Sequence, residues 1–414
     1  MGWLPDPVGA REIAVPRLAT LVIFLAVAIA ILGGMHGYIW LRLVRDPSLP
    51  EPWRRVLTWV LLGAGLLIPV GLFAARLVGR SWIRVIPTAA FIWLGLAFLL
   101  FATLLSIDLV RAGAWLSTWV SDWFRRIPEQ PPDPARRLFV ARAVASSAVL
   151  VAGGAGLVAF RSASGPAEIE EVPIRLPSLP RTLSGFSIAQ ISDLHVGPTI
   201  REREVRRVVE QTNALSPDLV AITGDLVDGT PRELWHIVAE LAKLKSRHGV
   251  FFVTGNHEYY SGVDAWLELL PKLGIRTLRN EQLAIGDQGG RFTLAGVDDW
   301  SAGPFGNGHG MDLPRAVAGH DPQQPLVLLA HQPRDFLTSV RAGVDLQLSG
   351  HTHGGQLFPF NWAVRAAFPW MKGLYRETVD GRTGHIYVSR GTGYWGPPMR
   401  LGSPPEISRL ILTS

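Results

Sequence analysis

The sequence predicts an α/β domain that follows an N-terminal region of four transmembrane helices. The mean hydropathy of +0.22 over 414 residues is high for a water-soluble protein. Apolar residues are concentrated before residue 161, whereas the rest of the chain alternates short apolar strands with amphipathic helices. We therefore predict a transmembrane region at 1–160, a linker at 161–184 and a second domain at 185–414.

Four apolar runs without charged residues support the transmembrane region. A helix needs about 20 apolar residues to cross the hydrocarbon core of a bilayer. The fourth run is the shortest and contains several glycines, so a buried core helix is the alternative that applies most to it. The runs are Leu18–Trp40, Val56–Ala75, Val85–Ile107 and Ala143–Phe160.

The arginines between these runs predict which way the chain is oriented. Without Arg142, which borders the fourth run, the first and third loops hold nine arginines, whereas the N-terminal tail, the second loop and Arg161 together hold six. Short loops rich in arginine stay in the cytoplasm, so this bias predicts a second domain outside the cell membrane. Arg136 and Arg137 resemble a twin-arginine export signal or are ordinary flanking charge, and both interpretations keep the third loop inside.

The charge and the missing cysteines exclude several classes of function. Residues 1–164 hold 16 arginines against 8 acidic residues, so the basic pI of about 9.9 belongs to the transmembrane region. The second domain is nearly neutral, and we expect no nucleic-acid partner. The chain has no cysteine, which excludes disulfides, zinc–thiolate sites and cysteine nucleophiles.

Short strands and amphipathic helices alternate in the second domain. Polar residues follow several of these strands, at the position where open α/β sheets place their sites. We predict strands at Phe186–Ser192, Asp218–Thr223, Val250–Thr254, Leu326–Ala330, Val344–Ser349 and Ile386–Ser389, and helices at Arg201–Ala214 and Glu233–Lys245.

Five of these strand ends carry side chains that bind metals. If the chain stays extended after the first strand, two of them, Asp193 and His195, lie on the same side. Each group alone is a weak signal, and the ordered set carries the information. The groups are Asp193-Leu194-His195, Gly224-Asp225, Gly255-Asn256-His257-Glu258, His331, and Gly350-His351-Thr352-His353.

The ordered set resembles the calcineurin-like metallophosphoesterase superfamily over Phe186–Ser414. Gly354-Gly355-Gln356, Ser389-Arg390-Gly391 and Pro404-Pro405-Glu406-Ile407 resemble the membrane-associated bacterial branch of that superfamily. The resemblance implies a β-sandwich flanked by helices. It also implies a metal-dependent hydrolase of phosphoric esters.

The resemblance further implies two divalent metal ions and the residues that hold them. Two such ions can clamp the attacking and departing oxygens of an in-line displacement, and imidazole and carboxylate ligands suit Mn, Fe or Zn. A hydroxide shared by both ions would attack, and His257 would help the leaving oxygen depart. One ion would be bound by Asp193, His195, Asp225 and His353, and the other by Asp225, Asn256, His331 and His351.

Three further residues have two interpretations each. Glu258 either orients His257 or is purely structural. Arg390 either contacts a phosphate or belongs to a structural ion pair. Asp228 is interpreted as a residue that caps its loop rather than as a ligand.

The predicted function is a membrane-anchored, binuclear phosphodiesterase that acts on a phosphate ester near the membrane. A lipid-linked ester is one candidate substrate. Asn361–Tyr375 mixes aromatic and basic residues and either dips toward the bilayer or forms an ordinary packed cap. The alternatives are a hydrolase of nucleotide-diphospho lipids, which a domain outside the cell disfavours, and a catalytically inactive membrane sensor.

Overall fold

The structure is a computed structural model, and it describes residues 14–75, 85–125, 133–287 and 289–414. They form two compact units. The helical unit lies within residues 1–70 and 93–154, and the α/β unit comprises residues from 71–92 and 155–414. Arg11, Arg76, Arg80, Arg84 and Arg126, which contributed to the predicted orientation, lie outside the described residues.

Four helices in the described part of the chain are long and apolar enough to cross a membrane. Each contains one of the predicted apolar runs. The third is longer than its run because the helix continues past Asp108 for more than four turns. The helices are α1 (Ala14–Trp40), α2 (Glu51–Ala75), α3 (Val85–Arg125) and α4 (Pro134–Ser164), and a π-helical segment, Leu41–Arg45, extends α1.

A polar cluster lies inside the helical unit. The Arg42 guanidinium pairs with Asp108 at 2.7 Å and with Asp46 at 2.8 Å, and the Tyr38 hydroxyl donates to Asp108. Charged groups among apolar helices are costly unless they are paired. The cluster therefore joins α1 to α3 through complementary charges.

Two six-stranded sheets form the α/β unit. One has the order β1-β12-β2-β3-β4-β5 and the other the order β10-β11-β9-β8-β7-β6. The strands in chain order are β1 (Glu168–Arg175), β2 (Phe186–Ile191), β3 (Leu219–Thr223), β4 (Val250–Val253), β5 (Ile275–Thr277), β6 (Glu281–Asp287), β7 (Gly290–Gly296), β8 (Leu326–Leu329), β9 (Leu346–Ser349), β10 (Gly373–Val379), β11 (Arg382–Val388) and β12 (Glu406–Thr413).

Apolar side chains from both sheets meet between them in one buried core. Phe186 of the first sheet packs edge-on against Phe292 of the second, with ring centroids 5.2 Å apart. In the part of the chain that the structure describes, seven helices flank the sheets, and the predicted sandwich is confirmed. They are α5 (Glu202–Ala214), α6 (Pro231–Val238), α7 (Asn256–Tyr260), α8 (Val263–Leu269), α9 (Leu313–Ala316), α10 (Phe336–Arg341) and α11 (Asn361–Ala367).

The predicted elements need two corrections. The helix predicted at Glu233–Lys245 is α6 followed by a 3₁₀ segment, Ala239–Lys243. Six strands were also not predicted from the sequence, namely β1, β5, β6, β7, β10 and β12. Several of these are edge strands or hairpin partners whose exposed faces dilute the apolar pattern.

The segment predicted as a linker, 161–184, is also more ordered than expected. It contains the end of α4 and strand β1, which pairs in parallel with β12 from Glu168–Glu406 to Arg175–Thr413. Only Ile174 is buried in this strand, so its polar composition concealed it. The domain boundaries at 160 and 185 stay a prediction, but the connection between them is part of the sheet.

Candidate metal centre

Five strands direct the predicted ligands to one place. Strands β2, β3 and β4 are parallel to one another, as are β8 and β9 of the second sheet. The loops after their carboxyl ends carry all seven predicted ligands. Because parallel strands end at the same edge of a sheet, ligands from distant parts of the sequence converge there.

The backbone is sharply bent at five of these ligands. Each has φ between 51° and 70°, in the left-handed region that side chains other than glycine seldom adopt, at a cost of about 1–3 kcal/mol per residue. The extended conformation expected between Asp193 and His195 is therefore wrong, although both side chains reach the centre. The five residues are Asp193, His195, Asp225, His351 and His353.

Glycines allow the ligand loops to approach one another closely. A Cβ atom on Gly255 would lie 2.2 Å from Oδ1 of Asp225, and one on Gly350 would lie 1.9 Å from Oγ of Ser192. No side chain fits at such distances, so these positions require glycine. The glycines of the motifs thus hold the loops together at the centre.

Two groups of donor atoms share the centre. In the first, Nε2 of His353 lies 3.1 Å from Nε2 of His195 and 3.5 Å from Oδ1 of Asp193. In the second, Nε2 of His331 lies 3.1 Å from Oδ2 of Asp225 and 3.3 Å from Nδ1 of His351.

Asp225 lies between the two groups. Its Oδ2 atom is 3.8 Å from Nε2 of His195, which belongs to the first group, and 3.1 Å from Nε2 of His331 in the second. Within each group, the donor atoms lie within 4.8 Å of one another, a spacing that could hold a metal ion. A carboxylate in this position can bridge two cations.

The donor atoms fit divalent metal ions. Oδ1 of Asn256 is buried and has no hydrogen-bond partner among the described residues. Leaving such an atom unpaired is costly, and coordination to a cation would satisfy it. Imidazole nitrogens that face each other at 3.1–3.3 Å also need a cation or a shared proton between them. The set of carboxylate, amide and imidazole donors suits Mn, Fe or Zn.

Burial and neighbouring charges hold three of the predicted ligands, His351, His353 and Asp225, in the form that binds metal. Burial, together with the charge of His331, lowers the pKa of His351 to about 3. Burial also holds the pKa of His353 well below its usual range. Although burial alone would raise it, the charge and hydrogen bond of His331 hold the pKa of Asp225 well below normal. Neutral imidazoles and an ionised carboxylate are the ligating forms.

Asp228 does more than the loop capping that the sequence predicted. Its Oδ1 atom accepts hydrogen bonds from Nδ1 of His257 at 2.5 Å and from Nδ1 of His195 at 3.1 Å. Both imidazoles are thereby oriented with Nε2 toward the centre. Burial alone would lower the pKa of His257, but this hydrogen bond and the charge of Asp225 raise it to about 9. His257 can therefore donate a proton at neutral pH.

Glu258 does not touch His257 through its carboxylate, and the structure favours the structural alternative. The carboxylate accepts hydrogen bonds from the backbone N–H groups of Gly255, Asp225, Leu226 and Val227. These groups belong to the loops after β3 and β4. Glu258 therefore ties the two ligand loops together.

Arg390 forms ion pairs, which favours the structural interpretation over a phosphate contact. Its guanidinium pairs with Glu406, Glu168 and Glu170. Arg400, which the sequence analysis missed, is fully buried and donates to the carbonyl oxygens of His353, Arg390 and Gly393. Nothing in the sequence around Arg400 indicates that it supports the loop of a ligand.

Arg334 is a second residue that the sequence analysis missed. Its guanidinium is exposed and lies between two aromatic rings, 5.2 Å from the centroid of Trp300 and 4.9 Å from that of Phe368. Phe368 in turn packs against His351 at 5.4 Å. Arg334 forms no ion pair in the described part of the chain, so it offers an uncompensated positive charge beside the donor atoms.

The aromatic segment predicted at Asn361–Tyr375 divides into two parts. Trp370 packs edge-on against Phe336 at 5.3 Å, and Met371 is buried. These residues form a packed cap. Only Trp362, at the start of the segment, exposes most of its ring.

Comparisons with known proteins match this arrangement. Residues 186–355 match the family described as calcineurin-like phosphoesterase. A "transmembrane protein with metallophosphoesterase domain" from Bos taurus is 41% identical over 290 residues, which are 68% of this chain and 64% of the relative. The chain spans 64% of the length of this relative and 58% of the length of the Danio rerio protein with the same description.

Two bacterial relatives are covered more fully. An uncharacterized metallophosphoesterase from Aquifex aeolicus is 38% identical over 240 residues, which are 58% of this chain and 89% of the relative. Another, from Bacillus subtilis, is 31% identical over 282 residues, which are 66% of this chain and 94% of the relative. The similarity to both extends over almost the whole of each relative.

Proposed function

The chain belongs to the calcineurin-like metallophosphoesterase family, and on this basis we propose that it is a membrane-anchored phosphodiesterase that uses two divalent metal ions. The observation that carries the proposal is the position of Asp225 between two groups of donor atoms. Mn, Fe or Zn ions held there would supply Lewis acidity and an activated water molecule as the nucleophile.

We assign the ligands by the two groups. Asp193, His195 and His353 would hold one ion together with Asp225. Asn256, His331 and His351 would hold the other, again with Asp225. The unpaired Oδ1 atom of Asn256 supports its inclusion, because amide nitrogen cannot coordinate and the oxygen is the free donor.

We assign the proton donor to His257. Its imidazole lies at the centre, with Nε2 4.0 Å from Oδ2 of Asp225, and Asp228 holds the opposite nitrogen. A protonated imidazole at this position can give its proton to the departing oxygen of the ester. Arg334 would attract the anionic substrate to the same side as His351.

The first test is turnover by the purified full-length protein after removal and return of metal. We expect an aryl phosphodiester to be hydrolysed faster than the matching monoester, with activity restored by Mn. Asp225→Asn and His257→Ala should both lose turnover. If no metal restores hydrolysis of either ester, the enzyme proposal is wrong and an inactive membrane sensor is favoured.

We also propose that the α/β unit lies outside the cell membrane, since the arginine bias favours cytoplasmic first and third loops. The chain has no cysteine, so single-cysteine variants can be labelled selectively. A membrane-impermeant maleimide should label Glu268→Cys, an exposed position of the α/β unit, in intact cells. Ser48→Cys in the first loop should react only after lysis. The reverse pattern would overturn this orientation.

A further inference from the structure

Four exposed aromatic side chains form a patch beside the candidate metal centre. We call them the aromatic rim: Phe358, Phe360, Trp362 and Trp395. Their exposed fractions are 43%, 52%, 67% and 57%. Rings of this size that stand in water cost free energy, and a cluster of them marks a surface that contacts an apolar partner.

Two segments distant in sequence build the rim, and hydrogen bonds fix them to each other. The Gln356 side chain donates to the Trp395 carbonyl at 2.9 Å and accepts from the Trp395 backbone N–H at 3.0 Å. The Phe358 N–H donates to the Leu401 carbonyl at 3.0 Å. Phe358 and Trp362 pack edge-on at 5.2 Å. The rim is therefore a rigid surface rather than a loose loop.

The rim is joined to the ends of two membrane-spanning helices within the α/β unit. The backbone N–H of Arg400 donates to the carbonyl of Ala159 in α4 at 2.9 Å. A Cβ atom on Gly396, the residue after Trp395, would lie 3.9 Å from the Phe91 ring in α3. Ala159 and Phe91 both lie inside the charge-free apolar runs of their helices.

These contacts determine how deep in the membrane the rim lies. Residues inside a charge-free run lie within or at the boundary of the hydrocarbon core. A loop that touches them lies at the level where the core meets the lipid headgroups. Tryptophan is enriched at this level, because its ring has a large apolar surface and a polar N–H group. Exposed aromatic rings of the rim are thus stable there and not in water.

The rim also reaches the candidate metal centre. The Trp395 ring packs edge-on against the His257 imidazole, with centroids 5.7 Å apart. One side of this ring belongs to the surface at the bilayer boundary, and the other touches the proposed proton donor. A continuous surface therefore leads from the lipid interface to the donor atoms.

We propose that the aromatic rim seats the α/β unit in the bilayer interface, and that the substrate is a phosphate ester carried by a membrane amphiphile. The phosphate would lie at the metal centre while the acyl chains stay in the bilayer beside Trp395. The position of the rim in the bilayer interface rests on its contacts with α3 and α4. The substrate class rests in addition on the proposed hydrolase function.

The seating can be tested without activity. Spin labels are attached at Trp362→Cys in the rim and, as a matched exposed control, at Glu268→Cys, in the full-length protein in phosphatidylcholine–phosphatidylglycerol vesicles. We expect the rim label to be relaxed by oxygen and protected from a water-soluble nickel complex, because oxygen dissolves in the bilayer. The control label should show the opposite. Equal exposure of both labels to the nickel complex would overturn the seating.

The substrate class is tested with two aryl phosphodiesters that share a headgroup. One bears a short water-soluble chain and the other two long acyl chains, both assayed with protein in vesicles. We expect Phe358→Ser with Trp362→Ser to lower kcat/KM for the long-chain ester at least about tenfold, since two aromatic anchors are lost. Turnover of the short-chain ester should stay within about twofold of the wild type.

One further variant is the control for the rim substitutions, and two outcomes would contradict the proposals. Leu374→Ser removes an exposed apolar side chain outside the rim and should change kcat/KM for neither ester. Equal turnover of the long-chain ester by the rim variant and the wild type would overturn the amphiphile proposal. If the wild type cleaves neither ester, the hydrolase function itself fails, and the spin labels still decide the seating.

Discussion

The helical unit and the metal centre of the α/β unit use charged residues in opposite ways. In the helical unit, Arg42 and Asp108 form an ion pair that joins helices, with compensated charges. In the candidate metal centre, Asp193 and Asp225 are buried beside His351 and His353, whose pKa values burial lowers. The first arrangement pairs opposite charges, whereas the second gathers buried donor atoms that a cation would satisfy.

Backbone conformation differs in the same way. The described parts of α2, α3 and α4 follow regular helical geometry, while five predicted ligands of the candidate metal centre adopt left-handed φ angles. Strain of this kind persists only where the surrounding structure enforces it. The five predicted ligands therefore hold a costly backbone conformation, whereas the described parts of α2, α3 and α4 do not.

The largest effect is expected from Asp225→Asn. The amide keeps the size of the carboxylate but removes the negative charge between the two groups of donor atoms, so turnover should fall below detection. Metal content of the purified protein, measured by elemental analysis, should fall as well. A variant that retained both metal ions and turnover would show that Asp225 does not bridge them.

His257→Ala should lower kcat by about 10²–10⁴-fold, because a proton donor is lost while the ligands remain. Metal content should equal that of the wild type, which separates this variant from Asp225→Asn. The exposed His236→Ala is the matched control and should keep full activity. Loss of metal together with activity would make His257 a ligand rather than a proton donor.

Asp228→Asn should have an intermediate effect on both properties. The carboxylate orients His195 and His257 together, and loss of such a partner costs about 10–100-fold in metal affinity or activity. Titration with Mn and the dependence of kcat on pH would measure it. Asp380→Asn removes an exposed carboxylate and should change neither. A weaker effect on both measurements would leave Asp228 with the loop-capping role alone.

The smallest effect on turnover is expected from Asp108→Asn in the helical unit. This change removes the partner of Arg42 and Tyr38, and hydrogen bonds to a charged group contribute about 1.5–3 kcal/mol each. The melting temperature in detergent should fall, while kcat of the folded protein stays unchanged. A large loss of kcat would show that turnover in the α/β unit depends on the helical unit.

Some features of this protein followed from the sequence because they depend on local chemistry. In a membrane, a charge-free run of apolar residues can satisfy its backbone hydrogen bonds only as a helix. Val85–Ile107 therefore predicted a helix without reference to the rest of the chain. The ligand types and their order after apolar strands likewise predicted that these side chains converge on one place. Parallel strands then bring such loops together whatever the details of their turns.

Other features were decided only by tertiary contacts. Arg390 and its partner Glu168 are 222 positions apart, and no local pattern shows that they pair. Asp228 reaches two histidines, 29 and 33 positions away, so its role as an orienting residue depends on the packing of three loops. Phe358 and Trp395 of the aromatic rim likewise come together only through contacts between distant segments. Composition and periodicity determine what a segment can form, but the partner of each side chain is determined by the fold, because contacts between distant segments exist only after folding.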